Sequence, residues 1–576
     1  MPKIELSVVA RNVAKGRWFV IFICFIIMSF AGGHYIFGIY SEAIKTTLGY
    51  DQETLTTLGF YKDLGGNIGI VSGLINEVSP PWVVLGIGAL MNVTGYLMIW
   101  LSVTQRIAKP KTWQMYLYMC IGANSHTFAN TGALVTCVKN FPQSRGSVLG
   151  ILKGFLGLSG AIFTQIYHAV YGQDDKGIIL LLAVLPSAVS LLLMFIVRPT
   201  KTVTEKNELK RFYSFLYIAL VLAVFLMVMI VVENRVKSFP QEGYQAVAAL
   251  AILFLFSNLA VVVQAEMDNM RSWVSENSHK DVKINIQETK ETELADMVTN
   301  YRVEEKPKSV ISHLVKIFKG PPRGNDFTIP QALVSIDMII LFSAATCGIG
   351  ASLTAIDNMG QIGRALRYTP VNISTFVSLI SIWSFFGRVF AGFLSEFLLH
   401  KYKFPRPLML TIVLLIGCIG HVFIAFALPA SMYVASIAIG FSFGAQWPLL
   451  LAIISELFGL KYYATLYNFG AAASPLGSYL LSVKVAGKLY DKEARKQYLS
   501  AQLLQTVHAS SSSHHKLTCI GHECFRLSFI IMTLVTLFGA LISGILVFRT
   551  RKFYTSDIYA KFRVETEKSE EDDNCS

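Results

Sequence analysis

Residues 69–77 read GIVSGLINE, and 319 positions later residues 388–396 read RVFAGFLSE. The two stretches share a glycine at the fifth place, Gly73 and Gly392, and a glutamate at the ninth, Glu77 and Glu396. Working outward, Ile121-Gly122-Ala123-Asn124 returns as Ile439-Gly440-Phe441-Ser442 at a displacement of 318. Gly157-Leu158-Ser159-Gly160 returns as Ser474-Pro475-Leu476-Gly477 at 317. Each echo alone is weak, but three in order at nearly one offset mark an internal repeat, so the chain is built from two similar halves.

The halves are made of membrane helices. The chain has 576 residues, 53% of them apolar and 15% charged, with a mean hydropathy of +0.51. A bilayer core about 30 Å thick takes roughly 20 helical residues to cross. Fourteen runs of that kind are found: Arg17–Tyr40, Leu55–Glu77, Trp82–Val103, Trp113–Val138, Ser147–Val170, Ile178–Val197, Tyr213–Val232, Tyr244–Gln264, Pro330–Ala355, Asn372–Leu398, Arg406–Phe426, Ser431–Glu456, Tyr462–Lys484 and Phe525–Phe548. Continuous apolar runs select helices over the short alternating strands of a barrel. Lys and Arg outnumber Asp and Glu by 50 to 37, a net charge of +13, but they fall between the apolar runs. That pattern points to the bilayer and excludes a nucleic-acid partner, a soluble enzyme and a disulfide scaffold. Trp18, Trp82, Trp100 and Trp113 near span ends are expected in an interfacial aromatic belt. The first span is expected to act as an uncleaved anchor.

The repeat maps spans one to six onto nine to fourteen and leaves spans seven and eight as an inserted pair. Its offset contains an even number of spans, so the halves have the same orientation, as in the major facilitator architecture. The expected fold is therefore an all-α membrane protein with two parallel six-helix bundles plus an inserted helix pair, about 14 transmembrane helices in all. The expected divisions are a cytosolic N-terminus at 1–16, a first bundle at 17–198, and an inserted pair at 213–264, with 199–264 grouped with the first bundle. A charged linker at 265–329, a second bundle at 330–548 and an acidic tail at 549–576 follow. The linker carries 10 Lys/Arg and 11 Asp/Glu without apolar period and reads as a solvated loop, with a surface helix near Val310–Phe318. An even span count puts both termini on one side, and the modest Lys/Arg excess there makes that side cytosolic.

Candidate pathway residues are the polar groups inside spans, where each is costly to bury. The densest tract is Asn124-Ser125-His126-Thr127-Phe128-Ala129-Asn130-Thr131. His126 and Asn130 share one helical face, and Asn124, Thr127 and Thr131 another. The matching span twelve offers Ser442 and Gln446, also four apart. His34, Asp63, Lys153 and Asp337 complete the set. Interhelical hydrogen bonding competes as a reading of the tract, a structural ion pair as a reading of Asp63, and snorkelling as a reading of Lys153. Lys62, adjacent to Asp63, is expected to point about 100° away from it. Gating candidates are Gly73, Glu77, Arg388, Gly392 and Glu396: the glycines allow close helix approach, and a glutamate can cap the N-terminus of the next helix. Cys519 and Cys524 admit a metal site with His514 and His522 or, more simply, a disulfide in an oxidising loop.

The strings FGIYS, LGYDQ, KDLGGNIGIVSGLINEVSPPWVVLGIGALMN, IAKPKTWQMYLYMCIGANSHTFANTGALVTCVKNFPQSRG and LKGFLGLSGAIFTQIYHAVYG resemble the plant nodulin-like proteins of the nuclear-fusion-defective group. The resemblance covers Arg17 to Gln264. It continues through FTIPQALVSIDMIILF, GRVFAGFLSE and CIGHECFRLSF, which look like that group's C-terminal part. It implies a major-facilitator-type membrane protein and hands over no substrate. The superfamily's loop signature, Gly-x-x-x-Asp-Arg-x-Gly-Arg, is matched only in part. The second half keeps Arg388, Gly392, Glu396 and the basic His400-Lys401-Tyr402-Lys403, whereas the first has Pro80-Pro81-Trp82 where basic residues belong.

The expected activity is secondary transport of a small solute by alternating access of two bundles, with proton coupling as an option. A non-transporting sensor or scaffold on the same fold is the alternative. H-E-x-x-H and G-x-x-x-x-G-K-[ST] are both missing, and no enzyme is expected. Neither cofactor nor metal is expected, and the chain reads as a monomer in the bilayer.

Overall fold

The computed structural model describes residues 6–50, 52–172, 176–200, 208–235, 240–283, 320–428, 431–505 and 519–559, all helical or connecting segments. Among the described residues, ten helices are long and apolar enough to cross a bilayer unbroken. The remaining four spans are interrupted. In chain order, α1 runs Arg17–Ala31, passes a 3-10 turn at Gly33–Ile36 and continues as Phe37–Leu48. α2 is Gln52–Asn67 plus Ile70–Val78, and α3 is Pro81–Val103. α4 is Thr112–Asn130 and Thr136–Asn140 joined by a π-helical turn at Thr131–Val135. α5 (Arg145–Tyr171), α6 (Gly177–Leu193), α7 (Glu208–Arg235) and α8 (Gln241–Lys283) complete the first part.

After the linker come α9 (Ile336–Ala365), α10 (Pro370–Tyr402), α11 (Arg406–Phe426) and α12 (Ser431–Phe458). α13 starts with Tyr463–Ala471 and Ala473–Ser478, widens into a π-helical stretch at Tyr479–Gly487 and ends with Lys488–Gln505. α14 is Glu523–Thr555. Proline opens several of these helices, where its missing N–H costs nothing: Pro81, Pro370 and Pro407 stand in the first turn of α3, α10 and α11. α1 and α2 break where glycine removes helix propensity, at Gly32-Gly33 and at Gly69. Apolar content alone does not reveal such breaks.

Several boundaries differ from the sequence expectation. α9 begins six residues later than Pro330, which belongs to a short separate helix at Ile329–Leu333. The interval from Ala265 begins as helix, because α8 runs on to Lys283, and α14 extends past Phe548 to Thr555. The surface helix expected at Val310–Phe318, the acidic end of the tail and His514 lie outside the described residues. Trp18 is not in an aromatic belt. It is fully buried among Phe141, Phe212 and Phe215, at ring distances of 4.8, 5.3 and 6.0 Å. Together with the Arg17–Glu208 ion pair at 2.9 Å, it fastens the start of α7 to the start of α1.

Burial separates the central helices from the peripheral ones. An 18-residue window of α5 and of α12 is 83% buried, against 22% for α7. α5 and α12 are therefore the most enclosed of these ten spans and α7 the least.

Candidate functional site

The two halves meet through a pair of symmetry-related contacts near the end of the molecule that carries the linker, here the linker face. Glu396 Oε2 accepts the Gly146 N–H at 2.6 Å, and Glu77 Oε1 accepts the Thr465 N–H at 3.2 Å. In each case a glutamate of the second helix of one bundle caps the first turn of the fifth helix of the other. Those turns, at the starts of α5 and α13, present unpaired N–H groups and a partial positive charge. The sequence reading had each glutamate capping the next helix of its own half; the partner is instead across the interface. The glycines make the approach possible. A Cβ on Gly392 would lie 2.5 Å from the Gly146 carbonyl oxygen, and one on Gly73 would lie 2.8 Å from the Ala464 carbonyl oxygen.

Behind the Glu396 contact lies a buried charge cluster. Arg406, fully enclosed, donates from Nη2 to Glu396 Oε2 at 2.8 Å, from Nε to Glu456 Oε1 at 2.6 Å and from Nη1 to Ser395. Arg145, one residue before Gly146, donates to the Ser455 carbonyl at 2.7 Å, again across the bundles.

Just beyond this seal is a cavity of about 30 Å³. His126, Thr127 and Asn130 of α4, Lys153 of α5, Arg388 of α10, Trp447 of α12, and Tyr467 and Asn468 of α13 are among the residues that line it. Its polar chain has one direction. Where α1 breaks, the Ala31 carbonyl is left over by the helix and meets His126 Nδ1 at 3.1 Å. His126 Nε2 faces the Asn130 amide nitrogen at 2.7 Å, so the hydrogen-bond pattern assigns a neutral imidazole with its proton on Nδ1. Asn130 Oδ1 in turn accepts from Lys153 Nζ at 3.3 Å, and Lys153 also donates to the Tyr467 hydroxyl at 3.2 Å. The ammonium stands 5.3 Å from the Trp447 ring centroid and 5.4 Å from that of Tyr467, within cation–π range. Arg388 enters from the opposite bundle, where Gly157 leaves space for it: a Cβ there would lie 2.6 Å from Nη1. Among the described residues the lining contains two cations and no carboxylate.

The sequence candidates are thus sorted. His126, Asn130 and Lys153 converge on the cavity, and Arg388, expected at the gate with Gly392 and Glu396, belongs there too. Thr131 stands at its edge, bonded to Asn468 of the other bundle at 2.9 Å and to Ser72 at 2.8 Å. Asn124 turns away and donates to the Gly65 and Ile68 carbonyls freed by the break in α2. Ser442 and Gln446 face the interior of the second bundle: Ser442 bonds the Val413 carbonyl at 2.9 Å and Gln446 bonds back to Ser442. One residue further, Trp447 takes the cavity position. Asp337 sits at the linker-face start of α9, paired with Arg323 at 2.7 Å and Arg549 at 2.6 Å, away from the pathway. Asp63 lies outside the lining and pairs with Lys62 at 2.9 Å, so the adjacent side chains curl together rather than diverge. The His34 side chain lies outside the described residues. Cys519 and Cys524 form a disulfide on the face opposite the linker, and no group of metal-binding residues occurs among the described residues.

Trp447, Tyr467, Asn468, Arg406 and Glu456 escaped the sequence reading. Glu456 carried a usable signal, an ionisable residue at the end of an otherwise apolar run. The aromatic residues carried none.

Two similarly folded six-helix bundles, joined by twofold-related seals around a polar cavity, define a membrane protein of the major facilitator fold. Residues 17–263 match the Nodulin-like family and residues 325–556 match the NFD4 C-terminal domain. The two matches lie in order along the chain, one in each part. Protein NUCLEAR FUSION DEFECTIVE 4 of Arabidopsis thaliana is 24% identical over 546 residues, 93% of this chain and 89% of that protein. The probable transporter MCH1 of Wickerhamomyces anomalus is 27% identical over 158 residues, 27% of this chain and 32% of its own. Among solved structures, the proton:xylose symporter XylE bound to 6-bromo-6-deoxy-D-glucose has the same fold, with a TM-score of 0.51 at 12% identity, covering 93% of this chain and 95% of that one. By their names, MCH1 is a probable transporter and XylE a proton:xylose symporter.

Proposed function

We propose that the chain is a secondary transporter of a small anionic solute, carried between the faces by rocking of the two bundles about the Lys153–Arg388 cavity. The observation that carries this reading is the pair of buried cations, one from each bundle, in a cavity without a carboxylate among its described lining residues. Two like charges in a low-dielectric pocket repel, and an anion between them relieves the repulsion and both desolvation costs at once. Carboxylate and phosphate groups fit, with Arg388 offering a planar fork and Lys153 a point charge. Trp447 and Tyr467 offer an apolar wall for the rest of the solute.

A cavity of about 30 Å³ holds one or two waters, whereas small-molecule sites span about 300–1,000 Å³. Binding therefore requires the bundles to part from this closed arrangement. The disulfide on the face opposite the linker supports an oxidising compartment there, which leaves the linker and both termini cytosolic. The test is thermal denaturation of the purified protein against metabolites grouped by charge. Stabilisation by one or more anions, lost in both Lys153→Gln and Arg388→Gln, supports the reading. Stabilisation only by neutral or cationic compounds overturns it.

A further inference from the structure

The chain leaving α14 turns back into the fold. Beyond Thr555 the backbone reverses, with the Tyr559 N–H donated to Asp557 Oδ1 at 3.2 Å, and Tyr559 enters the linker-face seal, where it is 3% exposed. Its hydroxyl donates to Glu456 Oε1 at 2.9 Å, lies 3.3 Å from Glu396 Oε1 and accepts from Arg406 Nη2 at 3.2 Å. Its ring packs beside His400, with centroids 5.6 Å apart. The other side of the interface also reaches it, because the Arg145 guanidinium stands 5.7 Å from the ring centroid.

This arrangement has a clear electrostatic logic. Glu396 and Glu456 both converge on the single guanidinium of Arg406. Buried carboxylates are tolerable only when their lone pairs are met by donors. Tyr559 supplies a neutral O–H between the two Oε1 atoms and an aromatic face for a cation of the opposite bundle.

We infer that residues 556–559 form a detachable strap that locks the linker face closed. Docked, Tyr559 holds Glu396 in the position that caps the start of α5. Undocked, the Glu396–Arg406–Glu456 cluster loses its shared hydroxyl, Arg145 loses its ring, and the two bundles are freer to part at this face. The rate at which the carrier opens toward the linker face is thereby placed under control of a segment outside both six-helix bundles. The strap needs the seal to open and close, as the alternating-access reading has it, but it makes no reference to the solute, and its test needs none.

Hydrogen–deuterium exchange on the full chain in lipid nanodiscs reads the seal directly, since the Gly146 N–H is the group Glu396 holds. In Tyr559→Phe, exchange at residues 146–150 rises about tenfold, the loss of one buried hydrogen bond to a carboxylate. In a chain ending at Thr555 it rises further, and peptides around Cys519–Cys524 on the opposite face are unchanged in both. Wild-type exchange at residues 146–150 in both variants overturns the strap. So does equal acceleration at the two faces, which would mark general loosening rather than release of a lock.

Discussion

Gly392→Ala places one methyl group where the backbones of the two bundles touch. Its Cβ would fall 2.5 Å from the Gly146 carbonyl oxygen and 2.5 Å from Gly150 Cα. Non-bonded carbons settle at about 3.5–4.0 Å, and the atoms it meets are backbone, which cannot swing aside. The bundles must separate by about 1 Å, and a similar stretch takes the 2.6 Å Glu396–Gly146 hydrogen bond beyond useful length. Overpacking of this kind costs about 1–3 kcal/mol, and here it falls on the closed linker face alone. The closed-to-open ratio should drop by about 5- to 150-fold. Spin labels at Lys15→Cys and Lys401→Cys, both exposed near the linker face, report this by double electron–electron resonance as a new long-distance population. Gly544→Ala, with nothing within 4 Å of its Cβ, is the neutral control. A distance distribution for folded Gly392→Ala that superimposes on the wild type refutes the reasoning.

Further outcomes follow from the other clusters. Asp337→Ala should lower thermal stability by about 1–3 kcal/mol, since two partly exposed arginines lose their shared partner, while any anion-induced stabilisation in the same assay stays intact. Cys519→Ser opens the small loop closed by the disulfide and should cost about 2 kcal/mol by chain entropy, read as a lower melting temperature. The freed Cys524 should then label with an impermeant thiol reagent added to the face opposite the linker, and not from the linker face. Without added anion, Lys153→Gln should melt at or above the wild-type temperature, because a buried ammonium is replaced by a neutral amide that can still reach Asn130 and Tyr467; calorimetry of the two proteins checks this.

The frame was legible because both of its signals survive in one dimension. Apolar runs of bilayer length mark the spans, and Gly73/Gly392 with Glu77/Glu396 repeat because they perform the same task on either side of a twofold. The cavity was hard to read for the opposite reason. At the fifth-span offset of 317 Lys153 corresponds to Gly470, and at the second-span offset of 319 Arg388 corresponds to Gly69, so the cations stand where the other half has small residues. A self-match finds the symmetric contacts and passes over the asymmetric cavity. His126 and Asn130, four apart on one helical face, touch each other at the cavity, whereas Trp447 rather than Gln446 lines it, because a ranking by polarity carries no information on the rotation of α12. Arg406 and Tyr559 were invisible as a pair, being 153 residues apart and joined only by the return of the chain after α14.

Flux through the purified protein tests the central claim most directly. Vesicles reconstituted with the wild type are incubated with a mixed pool of isotope-labelled organic acids, phosphate esters, sugars and amines, and their contents are read by mass spectrometry. The account predicts entry of one or more anions above protein-free vesicles, abolished by Lys153→Gln and by Arg388→Gln. Entry of neutral or cationic solutes alone, or anion entry indifferent to both substitutions, would contradict it.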